Sequence, residues 1–252
     1  MSDLVQYLDP IFRWFHIFFG ILWIGLLYWF NFVNIPFGAT MDADTKKKVI
    51  PELIPRALFW FRWGAAYTWI LGILLVYVVY DYSNLELANP GSATGASHAL
   101  LYSFILAPFI YDMLAKAIKD NRVMAVVGFI LIALVLWLTS SVFEFGYRGY
   151  VIYTGAMLGS IMAYNVWFRI WPNQKIILNG IKTGVPADPG LVAQTGTRSK
   201  HNTYLSVPLV WAMINAHTTK FAGEWWYFLI FVFVGWMATN GIYKRAGKIK
   251  GF

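Results

Sequence analysis

Cysteine does not occur in the chain. Its absence excludes disulfides, thiolate metal sites, iron–sulfur clusters and the C-x-x-C-H attachment of c-type haem within this sequence. Charge is scarce as well: Asp, Glu, Lys and Arg make up 13% of the 252 residues, about half the roughly 25% found in soluble domains. The net charge is +8, but the basic residues stand at the ends of apolar segments. That placement points to membrane topology and away from a nucleic-acid patch, so no nucleic-acid partner is expected. There is no internal repeat, no low-complexity tract and no separate soluble domain. Residues 1–252 read as a single transmembrane domain. Residues 1–10 are polar and the apolar run that follows is long enough to span and stay, so no cleavable signal peptide is expected.

What is present is apolar and aromatic: 59% hydrophobic residues, with 13 Trp, 15 Tyr and 20 Phe. The apolar blocks predict an all-α integral membrane protein with about seven spans, since a hydrocarbon core takes about 20 helical residues. The spans are 11–34, 58–80, 99–117, 123–142, 150–171, 202–217 and 225–243. The sixth is short and carries Pro208, so a kink is expected there. Of the 20 Lys and Arg residues, only Arg13, Arg148 and Lys220 fall on the side of the N-terminus. By the positive-inside rule the N-terminus lies outside and the C-terminus is cytoplasmic, in a lipid bilayer read as the bacterial inner membrane. Gly155, Ala156, Gly159 and Ala163 give the fifth span a small face suited to close helix packing. Two polar stretches, 81–97 and 172–200, read as loops. The second is the longer polar one, and loops of that length are often functional.

Ionisable groups within spans are costly and need partners. His16 lies near the outer end of the first span, with Gly20 one turn later on the same face and Arg13 about one turn towards the surface. A neutral imidazole, a missing side chain and a cation suit a non-covalent b-type haem, with its propionates at the interface. A hydrogen bond from His16 to a neighbouring helix is the other reading. His217 closes the sixth span at the same depth, so His16 and His217 are the candidate metal ligands, and Arg13 and Gly20 complete the cofactor site. His217 as a simple helix-end residue is the alternative. His201, about 24 Å from His217 along a continuous helix, belongs to a different site, and His98 reads as a loop residue.

A second constellation gathers at the cytoplasmic ends: Asn31, Asn34, Arg62, Asp112, Asn165, Arg169, Asn173, Gln174, Arg198, His201, Asn202 and Tyr204. Amides and arginines at one level could bind a planar, anionic, hydrogen-bond-rich small molecule. Equally, these could be ordinary polar helix termini, with Asp112 paired to an arginine. No residue is singled out as catalytic.

Four stretches carry a resemblance: RWFHIFFGILWIGLLYWFNFVN at 13–34, WFRWGAAYTWILGILL at 60–75, YTGAMLGSIMAYNVWFRIWPNQK at 153–175 and RSKHNTYLSVPLVWAMINAH at 198–217. In order and over most of the chain, they resemble the membrane domain of the bacterial membrane-bound urate oxidases (urate hydroxylases). His16, Asn165, Pro172-Asn173-Gln174, His201, Asn202, Tyr204 and His217 stand in the matching blocks. The resemblance implies urate oxidation, with electrons passing through a fused cytochrome c to the respiratory chain. This sequence stops at Phe252 without an eighth span or a cytochrome. The expected partner is therefore a separate cytochrome c or another membrane subunit. Two functions are carried forward: a haem-bearing oxidoreductase acting on a small molecule such as urate, and a non-catalytic electron-transfer or anchoring subunit of a larger respiratory complex. A channel or transporter ranks below both, for want of inverted repeats.

Overall fold

A computed structural model describes residues 3–82, 102–216 and 224–249. Helix α1 (Asp3–Tyr28) passes through a π-helical stretch (Trp29–Asn34) into α2 (Ile35–Thr40). Helix α3 (Ala43–Val76) ends in a second π stretch (Tyr77–Tyr82). A 3-10 turn (Ser103–Leu106) leads into α4 (Ala107–Ala117), followed by α5 (Asn121–Trp137) and its π-helical end (Leu138–Val142). Helix α6 (Tyr147–Asn165) continues through a π stretch (Val166–Ile170) into α7 (Trp171–Thr183). Helices α8 (Pro189–Asn215) and α9 (Tyr227–Ala246) complete the bundle, and no strand occurs among the described residues.

Each predicted span falls on a helix where it is described; residues 99–101 and His217 lie outside the described residues. Among the described residues, four helices are long and apolar enough to cross a membrane: Tyr7–Thr40, Ala43–Tyr80, Asn121–Val142 and Tyr147–Thr183. Their outer faces carry large apolar side chains such as Ile21, Ile130 and Phe168, 58–70% exposed. Such a surface suits lipid and would be unusual against water.

Two of the π stretches end one residue before an X-Pro step, at Ile35-Pro36 and Trp171-Pro172. Proline removes an i→i−4 bond and its ring crowds the carbonyl one turn back. A widened turn just upstream lets the helix continue instead of breaking. This overturns the expectation of a long loop at 172–200. That stretch is α7 and the first turns of α8, joined only by residues 184–188. Its polarity is that of helices on the bundle's polar end, where loops were read. The turn itself is built by Gly184 at φ 79°, the left-handed C-cap position that favours glycine, and by the Asp188 side chain accepting from the Leu191 amide at 2.9 Å. Helix α3 likewise begins well before its apolar stretch. Asp42 caps it by accepting from the Thr45 amide at 2.9 Å, and that bond and the Thr45 hydroxyl hold the exposed carboxyl below the usual carboxylate range.

Helix α1 packs along α3, and α6 along α8. The core they share is apolar: Trp23 and Leu27, Phe61 and Ala65, Leu158 and Met162 are all nearly or fully buried. On the small face of α6, Gly155 is where α8 comes close, while Gly159 makes only ordinary contact. A Cβ on Gly155 would stand 2.9 Å from the flexible tip of Met213 and 3.0 Å from Ala212 Cβ, so a larger residue there would make α8 give way slightly. The polar residues of α1 and α8 meet directly, with Tyr28 Oη 2.9 Å from Ser206 Oγ. The first and sixth predicted spans are therefore neighbours.

Candidate functional site

Where α1, α3, α6 and α8 meet near the N-terminal end of α1, the packing leaves a cavity of about 640 Å³. That volume lies within the roughly 300–1,000 Å³ of small-molecule and cofactor sites. Glycine and alanine make the space: Gly20 on α1, Gly72 on α3, and Gly155, Ala156 and Gly159 on α6 all line it. The rim between α1 and α8 is formed by residues that also face outward, Ile21 (70% exposed) and Ile214 (64%).

His16 is the ionisable ring in this wall. Its Nδ1 lies 2.9 Å from the Thr68 carbonyl oxygen. A carbonyl only accepts, so Nδ1 carries the proton and Nε2 keeps its lone pair. Nε2 has no hydrogen-bond partner among the described residues. The hydrogen bond to a neighbouring helix, one of the two sequence readings of His16, is what the ring makes, and its other nitrogen is left without a partner among the described residues. The same division recurs in metal-binding histidines, where an outer hydrogen bond fixes ring and tautomer. Gly72, one turn after Thr68, makes the seat, since a Cβ there would come 3.1 Å from His16 Cε1. Gly20 lines the cavity, with Thr68 Cγ2 3.8 Å from where its Cβ would be.

Arg13 lines the same cavity and is paired with Asp9 at 2.6 Å on its own helix. A second arginine, Arg148 at the start of α6, lines it too. Gly72, Thr68 and Arg148 were missed as site residues. The i, i+4 spacing of Thr68 and Gly72 was a readable signal, as was the rarity of basic residues on the side of the N-terminus. His217 and His98 lie outside the described residues.

At the opposite end of the bundle, Asp112 on α4 gathers three cations. Arg169 donates to both carboxylate oxygens, through Nε to Oδ1 at 2.8 Å and through Nη2 to Oδ2. Arg198, 2% exposed, donates to Oδ1 at 2.9 Å, and Lys116 reaches Oδ2 at 2.8 Å. Beside them Asn165 donates to Asn202 Oδ1 at 2.8 Å, and Asn202 donates to the Met162 carbonyl at 3.0 Å. His201 lies between Tyr111 Oη (2.8 Å from Nδ1) and Asn121 Oδ1 (3.1 Å from Nε2). The neutral ring fits both if the tyrosine donates to Nδ1 and Nε2–H donates to the amide oxygen.

Five of the seven expected binding residues are therefore gathered here: Asn165, Arg169, Arg198, His201 and Asn202. Two are not. Asn173 donates to Gln194 at 3.1 Å between α7 and α8, and Tyr204 stacks on Tyr243 of α9 with ring centres 5.9 Å apart. Asp112 paired to arginine is the structural arrangement anticipated from sequence. Even so, Arg198 Nη1 and Asn165 Oδ1 are buried and unpartnered among the described residues, so the network has a donor and an acceptor left over.

No curated protein and no solved structure matches the chain. A model of the urate oxidase N-terminal family matches residues 37–245, from α2 through α9, a stretch that takes in the whole Asp112 network and three walls of the cavity. On that match the chain belongs to the urate oxidase N-terminal family.

Proposed function

We propose that this chain is a membrane-embedded b-type haem protein of the urate oxidase kind, in the bacterial inner membrane with its N-terminus outside. On this reading it oxidises a small molecule, urate first among them, and passes the electrons to a periplasmic cytochrome c. The observation that carries the reading is the His16 ring, whose Nδ1 is tied to the Thr68 carbonyl and whose Nε2 is left with a lone pair at a cavity of cofactor size. His16 would hold the iron, with His217 as second ligand, and Gly20 and Gly72 would leave room for a flat ring. When bound, the haem supplies a one-electron carrier. The residues present fit such a group: an apolar slot, a committed imidazole tautomer, and arginines at one end for carboxylates.

At the cytoplasmic end, Asn165, Arg169, Arg198, His201 and Asn202 are the proposed substrate contacts, with Asn173 and Tyr204 flanking them. The unpartnered Arg198 Nη1 and Asn165 Oδ1 supply the free donor and acceptor that an anionic purine would need. A second reading, electron transfer or anchoring without substrate turnover, is favoured by one specific feature. Asp112 already engages both arginines.

A reduced-minus-oxidised spectrum of the purified chain tests the haem. The expected result is b-type bands, and their absence removes both the oxidase and the electron-transfer subunit, leaving only an anchoring role. Adding urate to oxidised membranes supplied with cytochrome c separates the two. Reduction of the haem supports the oxidase, whereas a haem that stays oxidised leaves only the electron-transfer subunit.

A further inference from the structure

We propose that Arg62, stacked on Trp171 and joined there by Lys175, holds the phosphate of an anionic phospholipid at the seam between α3 and α7. The proposal goes beyond the haem reading and rests only on the chain lying in a bilayer.

Arg13 pairs with Asp9, Arg56 with Glu52, and Arg169 and Arg198 share Asp112. Arg62 is different. It is half-buried on α3, its Nε is buried and unpartnered, and its guanidinium makes neither an ion pair nor a hydrogen bond among the described residues. The sequence leaves it no local carboxylate. Neither 53–80 nor 145–187 contains an Asp or Glu, and these stretches hold most of α3 and all of the helix packed along it through α7.

What holds the cation is aromatic. Arg62 Cζ lies 3.9 Å from the centre of the Trp171 ring, with Phe59 at 5.6 Å and Trp167 at 5.8 Å. Trp167 donates through Nε1 to the Arg62 carbonyl at 2.9 Å, which ties the two helices at this level. Lys175, one turn beyond Trp171 and exposed, brings a second cation over the same ring at 5.6 Å. A ring face attracts a cation but offers its N–H groups no lone pair. Two cations at one indole therefore still need an acceptor of negative charge.

The location names that acceptor. Arg62 and Trp171 stand near the ends of their apolar stretches, the level of the headgroups, where tryptophan collects in membrane proteins. Phe59 and Trp60 beside them are exposed and apolar. A free anion would meet only the charge. A phospholipid meets both features, its phosphate on the arginine fork and Lys175 and its acyl chains along the aromatic surface. Basic seats between transmembrane helices hold anionic headgroups in this way.

The test uses the full chain in detergent, with native mass spectrometry counting retained lipid. Phosphatidylglycerol and phosphatidylcholine with the same acyl chains are titrated separately. The wild-type chain is expected to hold phosphatidylglycerol about tenfold tighter, as for one hydrogen bond to a charged group. Arg62→Gln should reduce that preference to about threefold or less. Trp171→Leu, which keeps the charge and removes its platform, should reduce it in part. Arg122→Gln, which removes an exposed cation at the start of α5, should leave it unchanged. Equal binding of the two lipids by the wild type overturns the proposal, as does a preference that Arg62→Gln leaves intact. Displacement of phosphatidylglycerol by inorganic phosphate also overturns it, because the seat then takes a free anion. Should Arg62→Gln fail to fold, Trp171→Leu is read in its place, and an unchanged preference there has the same force. None of these outcomes depends on haem content, so the haem reading stands or falls by its own spectrum.

Discussion

His16 on α1 donates through Nδ1 to the backbone carbonyl of Thr68 on α3, 2.9 Å away. This bond spans two helices and sets which ring nitrogen is left for a ligand. His16→Ala should abolish the b-type bands, as should His217→Ala if it is the second ligand. Thr68→Val should leave them in place, because the partner is a main-chain oxygen and the Thr68 hydroxyl is spent on Gly64. Difference spectra of the three variants are the measurement. Bands surviving in His16→Ala would remove that ligand.

Gly72 is where α3 makes room for the imidazole. A methyl there would meet His16 Cε1 at 3.1 Å, so Gly72→Ala should displace the ring slightly, with altered band positions. Gly72→Val should drive it from its seat, with loss of bound haem and a cost of about 1–3 kcal/mol from overpacking. Haem content per chain and thermal unfolding in detergent check both effects.

The Asp112 network gives a stability prediction independent of any cofactor. Asp112→Asn leaves Arg198, 2% exposed, without its counter-charge. Removing one partner of a buried pair costs about 3–5 kcal/mol. Adding Arg198→Met should recover much of that loss, since an apolar side chain of similar length no longer demands an anion. Thermal melting of the single and double variants measures the difference. A double variant less stable than Asp112→Asn would show that Arg198 serves more than this pair.

The cysteine-free chain allows its orientation to be read directly. Lys48→Cys, ahead of the apolar part of α3, and Glu224→Cys, before α9, occupy exposed positions at opposite ends of the bundle. In intact cells a membrane-impermeant maleimide should label position 224 and reach position 48 only after lysis. The reverse pattern would invert the proposed topology and put the His16 cavity on the cytoplasmic side.

Much of the helical plan was legible because apolar runs and the positions of Lys and Arg are local properties of the chain. The misreading at 172–200 has a physical cause. Hydropathy reports whether a segment can sit in lipid, and a helix that leaves the apolar zone looks like a loop to it. Only the left-handed Gly184 and the cap at Asp188 mark where the helix actually stops. The His16 site was half legible. The histidine, Gly20 and Arg13 share one helix and a turn-by-turn spacing, whereas Thr68, Gly72 and Arg148 reach it from two other helices.

The sequence alone determined that this is a helical chain with long apolar segments, that no thiolate or covalently attached haem is available to it, and that its rare buried ionisable groups fall at two levels. Composition and periodicity suffice for that, since each follows from residues near one another in the chain. Only the tertiary structure decided which helices touch, and with that the cavity, the tautomer of His16 and the joining of Asp112 to Arg169 and Arg198. The cavity and the seat of His16 depend on glycines such as Gly72 and Gly155, and a missing atom has its effect only when a neighbour arrives to occupy the space.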